Sequence, residues 1–218
     1  PGISRPAICT AIPTANGRSY VLDLGANLDC SAQQLCEFAL LGSLMASELD
    51  GIASPTVRLL NVGEEANKGR SEIRQAALLL EAEPLINYSG YIEGDGIFKG
   101  DCDVVVCDGF VGNVALKTSE GLVKMVGNQF RQAVGNGWLA RIALILLQRP
   151  LRQLRTELDP SLYNGAYVLG LDGVVVKSHG SASKEGFIRA LEVAAEAAQH
   201  NLPKVLSPIL KNKLNRNE

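Results

Sequence analysis

The chain has 218 residues, 46% of them hydrophobic and 20% charged, which suits a globular α/β protein able to bury a sizeable core. A formal net charge of −2 excludes a globally basic nucleic-acid binder. Twenty-two glycines against 5% aromatic residues favour tight turns over aromatic stacking platforms.

Apolar runs of strand length alternate with longer stretches of helical period. Residues 19–24 read as a strand, 25–29 as a turn, and 31–48 as a helix with Leu35, Phe38, Leu41 and Met45 on one face. Residues 57–62 form a second predicted strand, followed by a Gly/Glu loop and a helix over about 68–81. Residues 85–91 and 103–107 are the third and fourth strands, and a helix is expected from near Asn113 to Ala133. A last strand over 173–177 leads into an Ala-rich helix over about 183–201. The basic end, with Lys204, Lys211, Lys213 and Arg216, reads as a solvated tail. β-Branched runs between helices imply crossover units and a mostly parallel sheet in one α/β domain over 1–218. The first residue is Pro1, and no charged-then-apolar leader follows it, so a fragment of a longer protein without a signal peptide is expected.

Residues 121–156 break the alternation. They hold Lys124, Arg131, Arg141, Arg149, Arg152 and Arg155 with no acid, around an apolar run from Trp138 to Leu147. A span needs about 20 apolar residues, and this run is half that and interrupted by Arg141. Basic charge beside Trp138, Leu144, Leu146 and Leu147 suits an interfacial segment on an anionic membrane, and equally a dimer interface or a buried helix pair. The stretch 134–160 is therefore expected to project as an amphipathic dimerisation or membrane segment. The five cysteines, Cys9, Cys30, Cys36, Cys102 and Cys107, lack CxxC pairing and read as buried, reduced core residues of a cytoplasmic protein, not as a metal site.

Four strand-to-helix turns are chemically alike. They are Leu22-Asp-Leu-Gly-Ala-Asn27, the stretch 60–69, Cys107-Asp-Gly-Phe-Val-Gly-Asn-Val-Ala-Leu-Lys-Thr118, and Val176-Lys-Ser-His-Gly-Ser181. In an open parallel sheet such turns gather at the carboxyl ends of the strands, where helix amides favour an anion. In the third turn Gly109 and Gly112 frame a loop, Asn113 falls at the helix start, and Lys117 follows on the same helical face. Amides, an amide side chain and an ammonium suit phosphate; an Asn cap beside a solvated lysine is the plainer account of the same letters. In the fourth turn His179 offers a hydrogen bond or proton to an anion or leaving group, or is a satisfied turn histidine. Ser181 or Ser183 caps the next helix. Glu64 and Glu65 could act as bases, or more plainly pair with Lys68. The residue before Lys117 is Leu116, so this is no Walker A loop, and neither serine sits in a GxSxG elbow. Gly135-Asn-Gly-Trp-Leu-Ala140 matches a dinucleotide fingerprint in letters only, because what precedes it reads as helix.

Arg5-Pro-Ala7, the stretches 22–27, 59–69, 103–121 and 170–181, and above all Asp108–Thr118 and Val175-Val-Lys-Ser-His-Gly-Ser181 within them, resemble the bacterial phosphate acyltransferase family of phospholipid synthesis. The resemblance implies a three-layer α/β/α fold of the isocitrate/isopropylmalate dehydrogenase and phosphotransacetylase type. It also implies that the chain is roughly the C-terminal two thirds of its family, without the preceding Gly-Asn-Thr-Gly motif. One departure is Asp95-Gly96, where an Arg-Asp pair is expected. The implied reaction converts long-chain acyl-[acyl carrier protein] and inorganic phosphate to acyl phosphate and free carrier protein. The implied setting is a cytoplasmic homodimer at an anionic membrane surface, feeding a membrane glycerol-3-phosphate acyltransferase, with no cofactor, metal or nucleic acid. On that basis Lys117, Asn113 and His179 are the catalytic candidates. Gly25, Asn27, Lys68, Gly109, Gly112, Thr118, Gly180 and Ser181 are expected around the substrate. Trp138, Arg141, Leu144, Leu146, Leu147 and Arg149 are expected at the membrane or dimer contact. A coenzyme A-dependent phosphotransacetylase-like enzyme and an inactive membrane-associated interaction module are the competing readings.

Overall fold

The computed structural model describes residues 3–134, 147–149 and 164–214. In chain order these form β1 (Ala7–Thr14), β2 (Gly17–Leu22), α1 (Ala32–Asp50), β3 (Thr56–Leu60), α2 (Ser71–Glu81), β4 (Asn87–Ile92), a 3-10 turn (Gly94–Gly96), β5 (Val104–Val106), α3 (Gly109–Val134), β6 (Ala166–Leu169), β7 (Val176–Lys177), α4 (Lys184–Gln199) and α5 (Leu202–Leu214). The strands make one sheet in the order β4-β3-β5-β2-β1-β6-β7. β4, β3, β5 and β2 are mutually parallel, β1 is antiparallel to both β2 and β6, and β7 is antiparallel to β6. Five strands thus share one direction, and β1 and β7 oppose them. The expected α/β fold is present, with a mixed sheet.

Period-two alternation sends side chains to two cores. Tyr20, Leu22, Val57, Leu59, Val104 and Val106 face one layer, where α1 is buried along most of its length and α2, α4 and α5 add Ala76, Leu80, Val193, Ala197, Leu202 and Leu206. Val21, Leu60 and Val105 face the other layer with Ile12, Leu24, Ile92 and Cys107, and there Ala115 and Leu116 of α3 pack. Ser31 starts α1 with a reciprocal capping box to Gln34, and Gly51 ends it in the left-handed conformation. Ser183, not Ser181, caps α4.

Four expectations need correction. β1 and β6 add strands outside the predicted set: β1 alternates β-branched Ile8, Thr10, Ile12 and Thr14 with small residues and Pro13, and β6 is only four residues long. The basic end is no solvated tail over its first part: α5 buries Leu202 and Leu206 against the core. α3 begins at Gly109, so Asn113 is one turn inside it, and Asp108 caps the helix by accepting from the Val111 amide at 2.8 Å. Gly109 and Gly112 are therefore helical residues, not the frame of a loop.

All five cysteine side chains are buried. Burial pushes the Cys30 and Cys102 thiols up to about 11 and raises those of Cys9 and Cys107 further. Thiolate is the reactive form, and raised values leave little of it at pH 8. A disulfide reagent at pH 8 is expected to find less than one reactive thiol in the folded protein and all five after unfolding.

Candidate active site

The loop after β2 is built around one carboxylate. Asp23 is fully buried and accepts from the Ile8 amide at 2.9 Å, the Ala26 amide at 3.1 Å, the Asn27 amide at 2.6 Å and the Asn27 side-chain amide at 2.9 Å. Asn27 donates its second side-chain hydrogen to the Pro6 carbonyl at 2.8 Å. Both donors of its side chain are thus engaged in shaping the loop. α3 then packs directly onto this loop. The Gly109 amide donates to the Asn27 carbonyl at 2.7 Å. A Cβ at Gly109 would stand 2.6 Å from that same oxygen, and one at Gly112 would overlap the Asp23 carbonyl oxygen and stand 2.8 Å from Cys107 Sγ. Glycine is required here for the approach of one stretch of main chain to another. These contacts give both glycines a packing role in the fold.

The loop after β3 is tethered to the same corner. Arg70 forms an ion pair with Asp108, whose carboxylate is almost wholly buried. Asn61, also buried, donates to the Lys68 carbonyl at 3.2 Å. Lys68 itself is exposed, with its main-chain amide donating to Glu65 at 3.0 Å. Three of the four turns therefore meet at the carboxyl ends of the parallel strands.

The fourth arrives differently. β7 opposes the parallel strands, so its carboxyl end points away from that corner and the turn meets α3 from the side. α3 descends from the corner at about 1.5 Å per residue, which places Lys117 about 12 Å below Gly109. There Lys117 Nζ lies 3.3 Å from His179 Nε2, across 62 residues of sequence. Lys117 also pairs with Glu120 at 2.9 and 3.2 Å. His179 Nδ1 lies 2.9 Å from Ser181 Oγ and accepts from the Ser181 amide at 3.2 Å. One turn up α3 from Lys117, Asn113 is exposed with its side chain beside Gly25. Gly25, Asn113, Lys117, His179 and Ser181 thus lie along one exposed strip on α3. Thr118 is exposed beside Lys117, and Gly180 is exposed at the tip of its turn, where an added Cβ would touch nothing within 4 Å.

Leu147 and Arg149 are exposed. Trp138, Arg141, Leu144 and Leu146 lie outside the described residues. Among the described residues no helix is long and apolar enough to cross a membrane. Asp23, Arg70, Asp108, Glu120 and Asn164 are the residues that sequence reasoning missed. Asp23 carried a signal, an acid closing an apolar strand, and Asp108 stood one residue before the true helix start.

A family model described as fatty acid synthesis protein matches residues 1–205. The phosphate acyltransferase of Alcanivorax borkumensis is 53% identical over 210 residues, covering 96% of this chain and 62% of that protein. The phosphate acyltransferase of Halorhodospira halophila is 48% identical over 219 residues, covering all of this chain and 64% of that protein. The chain thus spans under two thirds of these relatives' length. Among solved structures, a branched-chain phosphotransacylase from Enterococcus faecalis aligns with TM-score 0.56 at 16% identity, over 89% of this chain and 65% of that one. A phosphotransacetylase from Streptococcus pyogenes aligns with TM-score 0.54 at 16% identity, over 91% and 56%. These two share the fold. With a family model spanning nearly all of its residues, the chain belongs to the fatty acid synthesis protein family.

Proposed function

We propose that the protein transfers a long-chain acyl group from a thioester of acyl carrier protein to inorganic phosphate. One phosphate oxygen bonds to the thioester carbon, and the carbonyl oxygen takes up negative charge in the tetrahedral adduct. Breaking the carbon–sulfur bond restores the carbonyl, gives acyl phosphate, and releases the carrier thiolate to take a proton. Phosphate supplies its own nucleophile, so the protein's task is to hold the anion in line and to offer donors to the oxyanion. The observation that carries this reading is the 3.3 Å contact of Lys117 with His179 on an exposed strip that also bears Asn113 and Ser181. Lys117 and Asn113 bind phosphate, His179 and Ser181 face the oxyanion or the leaving sulfur, and Asn27 and Asp23 shape the neighbouring loop. About half-identity to proteins named phosphate acyltransferase supports the same reaction.

The test supplies palmitoyl-acyl carrier protein and phosphate and traps acyl phosphate with hydroxylamine. Hydroxamate from the carrier-protein donor, and little from palmitoyl-coenzyme A, is the expected result. The reverse preference would favour a coenzyme A-dependent enzyme. No product from either donor, while the Alcanivorax borkumensis relative assayed alongside makes it, would overturn the reading.

The setting we propose is a cytoplasmic homodimer held peripherally on an anionic membrane, beside the glycerol-3-phosphate acyltransferase that consumes its product. Leu122, Met125, Val126 and Phe130 support the dimer: they are exposed at i, i+3, i+4 and i+8 on α3, leading toward the basic, apolar stretch 134–160. Phe130→Glu is expected to convert a dimer to a monomer by light scattering. Replacing Leu144, Leu146 and Leu147 with Ser is expected to abolish flotation with vesicles containing anionic lipid; unchanged flotation removes that contact.

A further inference from the structure

We infer that Asn164 is a positioning residue that fixes His179 as a hydrogen-bond donor through Nε2. The inference rests on the reading of Lys117 and His179 as the transfer site. Asn164 is buried two residues before β6, and its side chain spends every polar atom on the fourth turn and its helix. Its Oδ1 accepts from the His179 amide at 2.8 Å. Its Nδ2 donates to Ser178 Oγ at 2.9 Å and to the Gly186 carbonyl, in the first turn of α4, at 2.7 Å. The main chain at 178–179 is thereby tied to a capped helix end, where Ser183 Oγ accepts from the Gly186 amide at 3.2 Å.

With the main chain held, the ring's own bonds select its tautomer. The Ser181 amide donates to Nδ1. A main-chain N–H cannot accept, so Nδ1 carries the lone pair, and in the neutral ring the hydrogen sits on Nε2. Ser181 Oγ lies 2.9 Å from the same Nδ1, and with no hydrogen on that nitrogen the hydroxyl is the donor. Nε2–H faces Lys117 Nζ at 3.3 Å, and that nitrogen is paired with the Glu120 carboxylate. Two donors therefore confront one another across the strip. A neutral imidazole has one in-plane lone pair, already used at Nδ1, so it cannot accept from the ammonium. An anionic oxygen, on phosphate or on the tetrahedral adduct, accepts from both at once. His179 is thus a fixed donor and not the base that would deprotonate a nucleophile, which dianionic phosphate does not need.

The ring can be observed directly. His179 and His200 are the only two histidines, so His200→Gln leaves one imidazole in a nitrogen-15 spectrum. In that protein, at a pH where the ring is neutral, the expected pattern is a single Nε2–H tautomer, and inorganic phosphate should shift Nε2 to saturation. Asn164→Ala should give averaged tautomers and weaken the phosphate response about tenfold, the loss of one charge-assisted bond. Asn164→Asp gives up both Nδ2 donations but keeps the acceptor for the His179 amide, the bond that holds the ring's own main chain, and should keep the tautomer; it decides the matter if the alanine variant does not fold. An Nδ1–H tautomer in the parent protein, an Asn164→Ala spectrum like the parent's, or averaged signals in Asn164→Asp would each overturn the inference. These spectra are independent of turnover. The expected ring pattern without acyl phosphate formation would overturn the proposed reaction alone, and acyl phosphate formation with the wrong tautomer would overturn the role of Asn164 alone.

Discussion

Lys117→Ala is expected to lower kcat/KM for acyl phosphate formation by about a hundredfold or more, the usual scale for removing one preorganised charge donor. Two features make this loss specific. The side chain is half exposed, and its ion pair with Glu120 lies near the surface. Such pairs contribute about 0–1 kcal/mol, so the melting temperature should barely move. Lys117→Arg keeps the charge but replaces a compact ammonium with a planar fork, and should recover only part of the rate. Turnover within about threefold of the parent in Lys117→Ala, at normal stability, would remove this residue from the chemistry.

Gly112→Ala should have the largest effect on stability. Its Cβ would meet the carbonyl oxygen of Asp23 and the Cys107 sulfur, and neither can retreat cheaply. The Asp23 main chain is pinned by a buried carboxylate with four accepted hydrogen bonds, and Cys107 sits in the core beneath it. Overpacking typically costs about 1–3 kcal/mol, and a backbone oxygen that cannot move puts this site at or above the upper end. Gly180→Ala is the matched control, because its Cβ would enter open space. Urea denaturation of both should show a clear fall in midpoint for Gly112→Ala and almost none for Gly180→Ala. Similar midpoints would mean that α3 does not press on the Asp23 loop in solution.

Much of the fold is legible where periodicity is strong. α1 shows a long apolar period with a capping serine, and β3, β4 and β5 fall within two residues of their expected starts. β1 carries a strand signal outside the predicted elements, Ile8, Thr10, Ile12 and Thr14 at period two before the hairpin pair Asn16-Gly17, but Ala7, Cys9, Ala11 and Pro13 between them are not the polar partners of a half-buried strand. The start of α3 escapes because Gly109 and Gly112 have the composition of a loop; the close approach that demands them is a tertiary fact. The site divides in the same way. Lys117, His179 and Ser181 stand out as residue types, yet their contact depends on β7 running against the sheet, which spacing does not encode. Asn164 and Asp23 matter through buried hydrogen bonds to main chain, and those partners are known only once the chain is folded.

The way α3 is attached has a mechanical consequence. The helix is clamped at its amino-terminal end by glycine contacts, the Asp108 cap and the packing of Ala115 and Leu116, while Leu122 to Phe130 turn an apolar flank outward. A beam fixed at one end deflects least beside its support, so a load on that apolar flank displaces Lys117 and its contact with His179 least.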